Sequence, residues 1–190
     1  GGVAKLKVKG ETEISADIAA ATETMQRHVE RQLAKARLKS SGSFVASRLK
    51  PCVDRVVNVV RKTPDGIARQ WRIEVPENLR VAIHPDDLAE AAGGLIENAA
   101  RHAREHIVIS AEESGGQVVL RISDDGPGIP EEFQTDVLSR GHRLDTSKPG
   151  SGLGLAIVAE IADAWDGAIG FERTENTFSA VLRLKAAGPR

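Results

Sequence analysis

Apolar residues recur at two different periods along this chain, and the switches between them outline its elements. Over residues 14–39, Ile14, Ile18, Ala21, Met25, Val29 and Leu33 fall three or four apart, with charged side chains between them. That spacing predicts one amphipathic helix whose single apolar stripe needs a partner, and a dimerising helical hairpin is preferred over packing on its own domain. Lys39-Ser40-Ser41-Gly42-Ser43 ends it as a hinge, and a compact domain is expected from near Phe44.

Helical spacing returns from Pro51 to Arg61, with Val53, Val56, Val57 and Val60 on one side. Period two follows in Gln70-Trp71-Arg72-Ile73-Glu74-Val75 and again over Leu79 to Ile83, which predicts two strands. Pro85 opens a helix expected to run to about Ala103, proline being tolerated in a first turn. Residues 106–111 and 117–123 read as a hairpin around Glu113-Ser114-Gly115-Gly116. A loop spans roughly 124–151, a helix 152–164, and two strands Gly167 to Arg173 and Thr177 to Leu184. Several antiparallel strands and three helices pack most economically as one sheet covered by one helical layer, an α+β sandwich.

Composition narrows this little. The 190 residues are 41% hydrophobic, enough for a core, but four Phe, two Trp and no Tyr leave that core to aliphatic side chains. Twenty-six basic against 27 acidic residues argues against a nucleic-acid binder built on phosphate contacts. The lone Cys52 excludes an internal disulfide and fits a reducing compartment. No apolar run approaches a membrane span, and no secretory signal is visible. Gly1-Gly2 looks like a tag remnant, so the chain is read as a piece of something longer.

Three segments carry chemistry. On the long helix, Leu88, Ala92, Leu95, Ile96 and Ala99 make the buried side. Glu97, Asn98, Arg101 and His102 cluster on and beside the opposite one. A carboxamide is a neutral oxygen donor for Mg²⁺, and a guanidinium neutralises phosphate. Next, the strand ending Ser123-Asp124-Asp125 runs into Gly126-Pro127-Gly128-Ile129-Pro130. An aspartate held there can accept from an exocyclic amine such as adenine N6, while the glycines let a flat ring approach. Each of these two also reads as an ordinary solvated helix face and an ordinary surface turn.

The third segment, Ser139 to Gly150, carries Arg140, Arg143 and Lys148 and leads into Gly150-Ser151-Gly152-Leu153-Gly154-Leu155-Ala156-Ile157. A glycine-rich turn opening a helix suits phosphate, because first-turn N–H groups lack internal partners. The basic stretch before it suits a mobile cover completed when ligand binds. The chain has neither a P-loop ending nor a Rossmann fingerprint after a first strand.

Order, spacing and content of these segments resemble the ATP-binding domain of sensor histidine kinases, in the gyrase–Hsp90–histidine kinase–MutL superfamily. LIENAARHA resembles the N box, DDGPGI the first glycine box and GSGLGLAI the second, while RGHRLDTSKPGSGLGL is similar to the lid of PhoQ-type kinases. The likeness covers about residues 43–185. It implies a Bergerat-type two-layer sandwich, a mixed, mostly antiparallel sheet under three helices. Residues 43–190 would be the catalytic domain and 1–42 a partial dimerisation and phosphotransfer segment, its helix resembling the second of the hairpin.

The resemblance also implies roles. Asn98 would ligate Mg²⁺, and Glu97 would polarise or deprotonate an attacking imidazole. Arg101 would contact phosphate with His102 close by, and Asp124 would hold the adenine amine. Gly126 and Gly128 would shape the base pocket, Arg143 would reach the terminal phosphate, and Gly152 and Gly154 would lie against the phosphates. Ile129, Arg140, Lys148, Leu153 and Leu155 complete the nucleotide-binding set. Asp125 departs from the commoner asparagine; a second carboxylate there would weaken nucleotide binding or alter pocket hydration without breaking the scheme.

A histidine followed by an acidic residue and an apolar–basic–Thr-Pro stretch, the family's phosphoacceptor, is not matched. His28 precedes Val29-Glu30 and His84 precedes Pro85-Asp86. The first hairpin helix is therefore expected to be missing, with Val3 to Lys9 as its remnant. The function implied is transfer of the γ-phosphoryl of Mg·ATP to a histidine absent from this chain, for relay to a response regulator receiver domain. A homodimer through the N-terminal helix is expected, with no nucleic acid and no membrane contact by this chain. The location implied is cytoplasmic, with room for an inner-membrane anchor in the parent protein. Two alternatives stay open: an anti-sigma-type serine/threonine kinase, and a nucleotide-binding scaffold that has lost phosphotransfer.

Overall fold

The computed structural model describes residues 46–139 and 154–188, together with Val29. The helix expected over 14–39 lies outside the described residues except for Val29, which is helical and 55% exposed. Backbone contacts divide the chain between Ser43 and Phe44.

From Ser47 onward, the described residues form twelve elements in order. They are β1 (Ser47–Arg48), α1 (Leu49–Val60), α2 (Pro64–Ile67), β2 (Gln70–Glu74), β3 (Arg80–Val81), α3 (Pro85–His102), β4 (His106–Ser114), β5 (Gln117–Asp124), α4 (Glu131–Val137), α5 (Gly154–Ala164), β6 (Ala168–Arg173) and β7 (Phe178–Lys185). Five strands form one sheet in the order β2-β4-β5-β7-β6. Only β2 and β4 run parallel, with Gln70 opposite His106; every other pair is antiparallel. A parallel neighbour requires a crossover, and α3 supplies it between β2 and β4. Strand β1 pairs with β3 in a separate two-stranded sheet, so the strand expected over 79–83 shrinks to two residues outside the main sheet.

Helices α1, α3 and α5 cover one face. Alternation in β4, β5 and β7 points Ile107, Ile109, Leu120, Ile122, Leu182 and Leu184 into the same core as Leu88, Leu95, Ile96, Val158 and Ile161. Each such fully buried aliphatic contributes about 1.5–3 kcal/mol. The opposite face is polar, with Arg121 bridging Glu112 at 2.7 Å and Glu172 at 3.3 Å, and Arg183 reaching Glu172 at 3.1 Å. These exposed pairs stabilise little and serve mainly to keep that face wet.

The sandwich therefore matches the expected class, but it carries two helices beyond the expected three. Thr63 caps α2, its Oγ1 accepting from Gly66 N at 3.2 Å while donating to the Val60 carbonyl at 2.7 Å, with Pro64 at the first position. Helix α4 stands inside the span expected to be loop, started by Pro130 and carrying Glu131 and Glu132 in its first turn, where carboxylates favour the dipole.

Candidate functional site

The site is built where α3 ends, β5 ends and α5 begins. Helix α3 starts with Pro85 behind the His84 cap, places Asp86 and Asp87 in its first turn and Arg101 and His102 in its last, so both termini are charge-matched. Its buried stripe, Leu88 to Ala100, turns Asn98, Arg101 and His102 to the half-buried flank and leaves Glu97 exposed. One turn before Asn98, a side chain at Gly94 would meet Val158 at 2.9 Å and the Gly154 carbonyl at 3.3 Å. That close crossing fixes the first turn of α5 beside the Asn98 stretch of α3. At Gly154 itself an added Cβ meets no atom of the described residues within 4 Å.

Asp124 ends β5 opposite Phe178 of β7 and is 4% exposed, one of two buried polar residues among those described. Burial is the main influence on its carboxyl and raises its pKa from 3.8 to about 6, partly opposed by the Gly126 N–H and reinforced by the Asp125 charge. Its Oδ1 accepts from Gly126 N at 2.9 Å. The loop then folds against α3: an added Cβ at Gly126 would lie 2.4 Å from the His102 carbonyl oxygen. Gly128 holds φ +67°, and a Cβ there would sit 2.6 Å from the Phe178 ring.

Ile129 and Phe178 form a small second core with Val137 of α4, and Leu155 of α5 packs against it. The structure thus brings Ile129 and Leu155 together, and it sets Asp124, Gly126 and Gly128 at the end of the helix that bears Asn98, Arg101 and His102. Arg140, Arg143, Lys148, Gly152 and Leu153 lie outside the described residues.

Asp125 turns its carboxylate to the protein's own backbone. Its carboxylate takes the backbone N–H groups of Arg104, Glu105 and His106 at 2.8–3.1 Å. Desolvation pushes its carboxyl up, but these donors outweigh it and hold the group below its ordinary value.

Sequence reasoning also missed Phe178 and Arg173. Phe178 stacks on Phe171 with ring centroids 5.4 Å apart, and Arg173 Nη1 donates to the Pro127 carbonyl at 2.7 Å, so together they brace the glycine loop. Only the strand register, which sets Phe178 opposite Arg173 and diagonal to Phe171, reveals them. A cavity of about 290 Å³ behind the loop is lined by Asp125, Gly126, Pro127, Arg104, Arg173 and Thr177 among others. It includes neither Asn98 nor Asp124, so it is the rear of the loop and not the space between the helices.

The residues suit a nucleotide with a bridging cation. Among the described residues no group of three or more His, Cys, Asp and Glu side chains could hold a metal alone. A cation at Asn98 would therefore need oxygens from a ligand, as Mg²⁺ commonly takes from phosphates.

The glycine geometry gives a direct prediction. Gly128→Ala must strain a left-handed residue and displace an aromatic ring, whereas Gly116→Ala, at φ +75° in open space, pays only for the backbone. The backbone cost is about 1–2 kcal/mol, and the ring clash adds about 1–3 kcal/mol at position 128. Thermal melts of the two variants should separate by that added amount.

Residues 83–187 match the histidine kinase-, DNA gyrase B- and HSP90-like ATPase family. The two-component sensor PhoQ of Pseudomonas aeruginosa is 31% identical over 159 residues, 80% of this chain and 34% of that protein. The chain spans about a third of the length of such curated relatives. The catalytic domain of the histidine kinase ThkA superposes with a TM-score of 0.68 at 25% identity, over 75% of this chain and 95% of that one. The mycobacterial sensor histidine kinase MprB gives 0.67 at 24% identity, over 75% and 97%. With the buried aspartate, the glycine loop and the polar flank of α3 all inside the matched span, this chain belongs to the histidine kinase-, DNA gyrase B- and HSP90-like ATPase family.

Proposed function

We propose that this chain is the nucleotide-holding part of a PhoQ-like sensor histidine kinase, transferring the γ-phosphoryl of Mg·ATP to a histidine that it does not itself carry. The observation that supports this most is Asp124: a carboxylate 4% exposed, beside a glycine loop pressed against the helix of Asn98. Burying a carboxylate is costly, and an amine donor from a ligand offsets that cost. Asp124 accepts the adenine amine, Gly126 and Gly128 admit the base, and Ile129 and Leu155 form an apolar wall beside it.

Asn98 would hold Mg²⁺, which would supply neutralisation of the charge that develops on the phosphates. Arg101 and His102 line the phosphate side, with Gly154 at the α5 start. Arg140, Arg143 and Lys148 compensate the charge of the triphosphate, Arg143 at the terminal phosphate; Gly152 serves the phosphates, and Leu153 belongs to the nucleotide-binding set. In the transfer, a bond forms between the incoming imidazole nitrogen and the γ-phosphorus, and the bond to the β–γ bridging oxygen breaks, releasing ADP. Glu97, exposed on its helix, takes the imidazole proton.

Residues 43–190 form the catalytic unit in this scheme, and residues 1–42 supply a dimerisation helix that makes the working form a homodimer. A receiver-domain aspartate takes the phosphoryl onward. A cytoplasmic site of action fits, in a parent protein anchored in the inner membrane; no helix among the described residues is long and apolar enough to cross a membrane.

Titration calorimetry with ATP is expected to show saturable binding that Mg²⁺ strengthens, while γ-labelled ATP leaves no acid-labile phosphate on the chain. Absence of metal-dependent binding up to roughly millimolar nucleotide, a free energy of about −4 kcal/mol, sinks the proposal. Stoichiometric phosphohistidine would overturn the claim that the acceptor lies elsewhere.

A further inference from the structure

Both oxygens of the Asp125 carboxylate face the protein's own backbone. Helix α3 ends at His102, and Ala103 leaves it extended at φ −54°, ψ 147° after its N–H has bonded the Ala99 carbonyl. The next three N–H groups then converge on Asp125. Oδ1 accepts from Arg104 at 2.8 Å and Glu105 at 3.0 Å; Oδ2 accepts from Glu105 and His106 at 3.1 Å each. Asp125 N returns a long bond of 3.4 Å to the His106 carbonyl.

Successive N–H groups turned to one side make an anion-binding concavity, and here the anion is a side chain twenty residues onward. The carboxylate would otherwise be poorly placed, because it stands near the negative end of α3. Its neighbours flank it tightly. Gly126 has no room for a methyl against His102, and Asp124, on the other side, is the buried acceptor.

We propose that Asp125 is a positioning residue, whose carboxylate clamps the α3–β4 connection to the end of β5 and so sets the spacing between Asn98 and Asp124. An adenine amine on Asp124 and a metal-bound triphosphate at Asn98 are parts of one ligand, so an error in that spacing is paid when both ends engage together. The proposal rests on the nucleotide reading above, and it has a ligand-free readout of its own.

Two variants of the full chain test it. Asp125→Ala removes both acceptors; Asp125→Asn keeps one oxygen and turns an NH₂ toward backbone donors. In the ligand-free chain, hydrogen exchange at Arg104, Glu105 and His106 should quicken by about tenfold or more in Asp125→Ala and less in Asp125→Asn, with β5 and β7 unchanged. The gain in ATP affinity on adding Mg²⁺ should shrink by about tenfold in Asp125→Ala and be partly rescued in Asp125→Asn. A merely structural role lowers the melting temperature but leaves that ratio alone. Exchange unchanged at all three amides, or an unchanged magnesium gain in both variants, overturns the proposal. Should Asp125→Ala not fold, Asp125→Asn alone carries both tests. If the unmodified chain binds no nucleotide, the functional reading fails, and the clamp is decided by exchange alone.

Discussion

Asp124→Asn is expected to weaken nucleotide binding and at the same time raise the melting temperature of the ligand-free protein. The two effects have one cause. Burial lifts the Asp124 pKa from 3.8 to about 6, so the folded protein holds a carboxylate it would rather protonate. Below pH 3.8 the group is neutral folded or unfolded and costs nothing. As pH rises from there to about 6 the unfolded chain ionises first and stability is lost, and above about 6 the full penalty stands.

Asparagine does not titrate and keeps an oxygen for the Gly126 N–H. At pH 7 the variant should gain on the order of 2 kcal/mol, or about 4–8 °C, and the gain should vanish in melts run below about pH 4. Adenine, however, loses a charged acceptor. That bond is worth about 1.5–3 kcal/mol, so ATP affinity should fall about 10- to 100-fold by calorimetry. The unmodified chain should also lose affinity as pH drops through about 6, and the variant should not. A stabilised protein that has lost its ligand separates a functional carboxylate from a structural one, since a structural role would make both quantities fall.

Much of this architecture could be read from the chain because its signals are local and long. Leu88, Leu95, Ile96 and Ala99 repeat over about three turns, and the two sides of the β4–β5 hairpin alternate around Gly115-Gly116. Both fix their elements without knowledge of anything distant. The short pieces lacked that redundancy. Helix α2 has four residues, too few for any period, although Thr63-Pro64 is a start signal; α4 offers only Phe133 and Val137 among acids and polar residues. Pairing was less legible still. Nothing within Gln70–Glu74 says that its neighbour lies 36 residues on and runs parallel, nor that Arg80–Val81 leaves the main sheet for Ser47–Arg48.

The site divides along the same line. Asn98, Asp124 and the glycines are recognisable by type and spacing, because a ligand selects side chains. Asp125 serves the backbone of Arg104 to His106, and backbone amides carry no residue identity that a sequence could display. Phe178 acts through its place opposite Asp124, which only the strand register shows. Residues proposed to touch a ligand are thus legible earlier than residues that hold their neighbours in place.

Asn98→Ala should remove most of the magnesium-dependent part of ATP binding and leave the metal-free part nearly intact. Asparagine is a poor choice for the interior of a helix, about 0.6 kcal/mol worse than alanine, and Asn98 stands half-buried between Glu97 and the buried Ala99. The substitution therefore favours the helix, so lost binding cannot be laid to unfolding. What it removes is the neutral oxygen donor proposed for the cation on this flank of α3. A hydrogen-bonding or ligating contact to a charged partner is worth about 1.5–3 kcal/mol, which predicts a fall of about 10- to 100-fold in affinity for Mg·ATP. Asn98→Asp sharpens the test: a carboxylate binds Mg²⁺ more strongly but repels phosphate oxygens, so metal-free ATP should bind less well than to the unmodified chain. Equal losses with and without metal in Asn98→Ala would mean that the carboxamide contacts the nucleotide directly, and the cation would then have to be assigned to other oxygens. Unequal losses tie Asn98 to the metal and Asp124 to the base. They make the end-of-helix geometry between them the element on which the proposed nucleotide site depends.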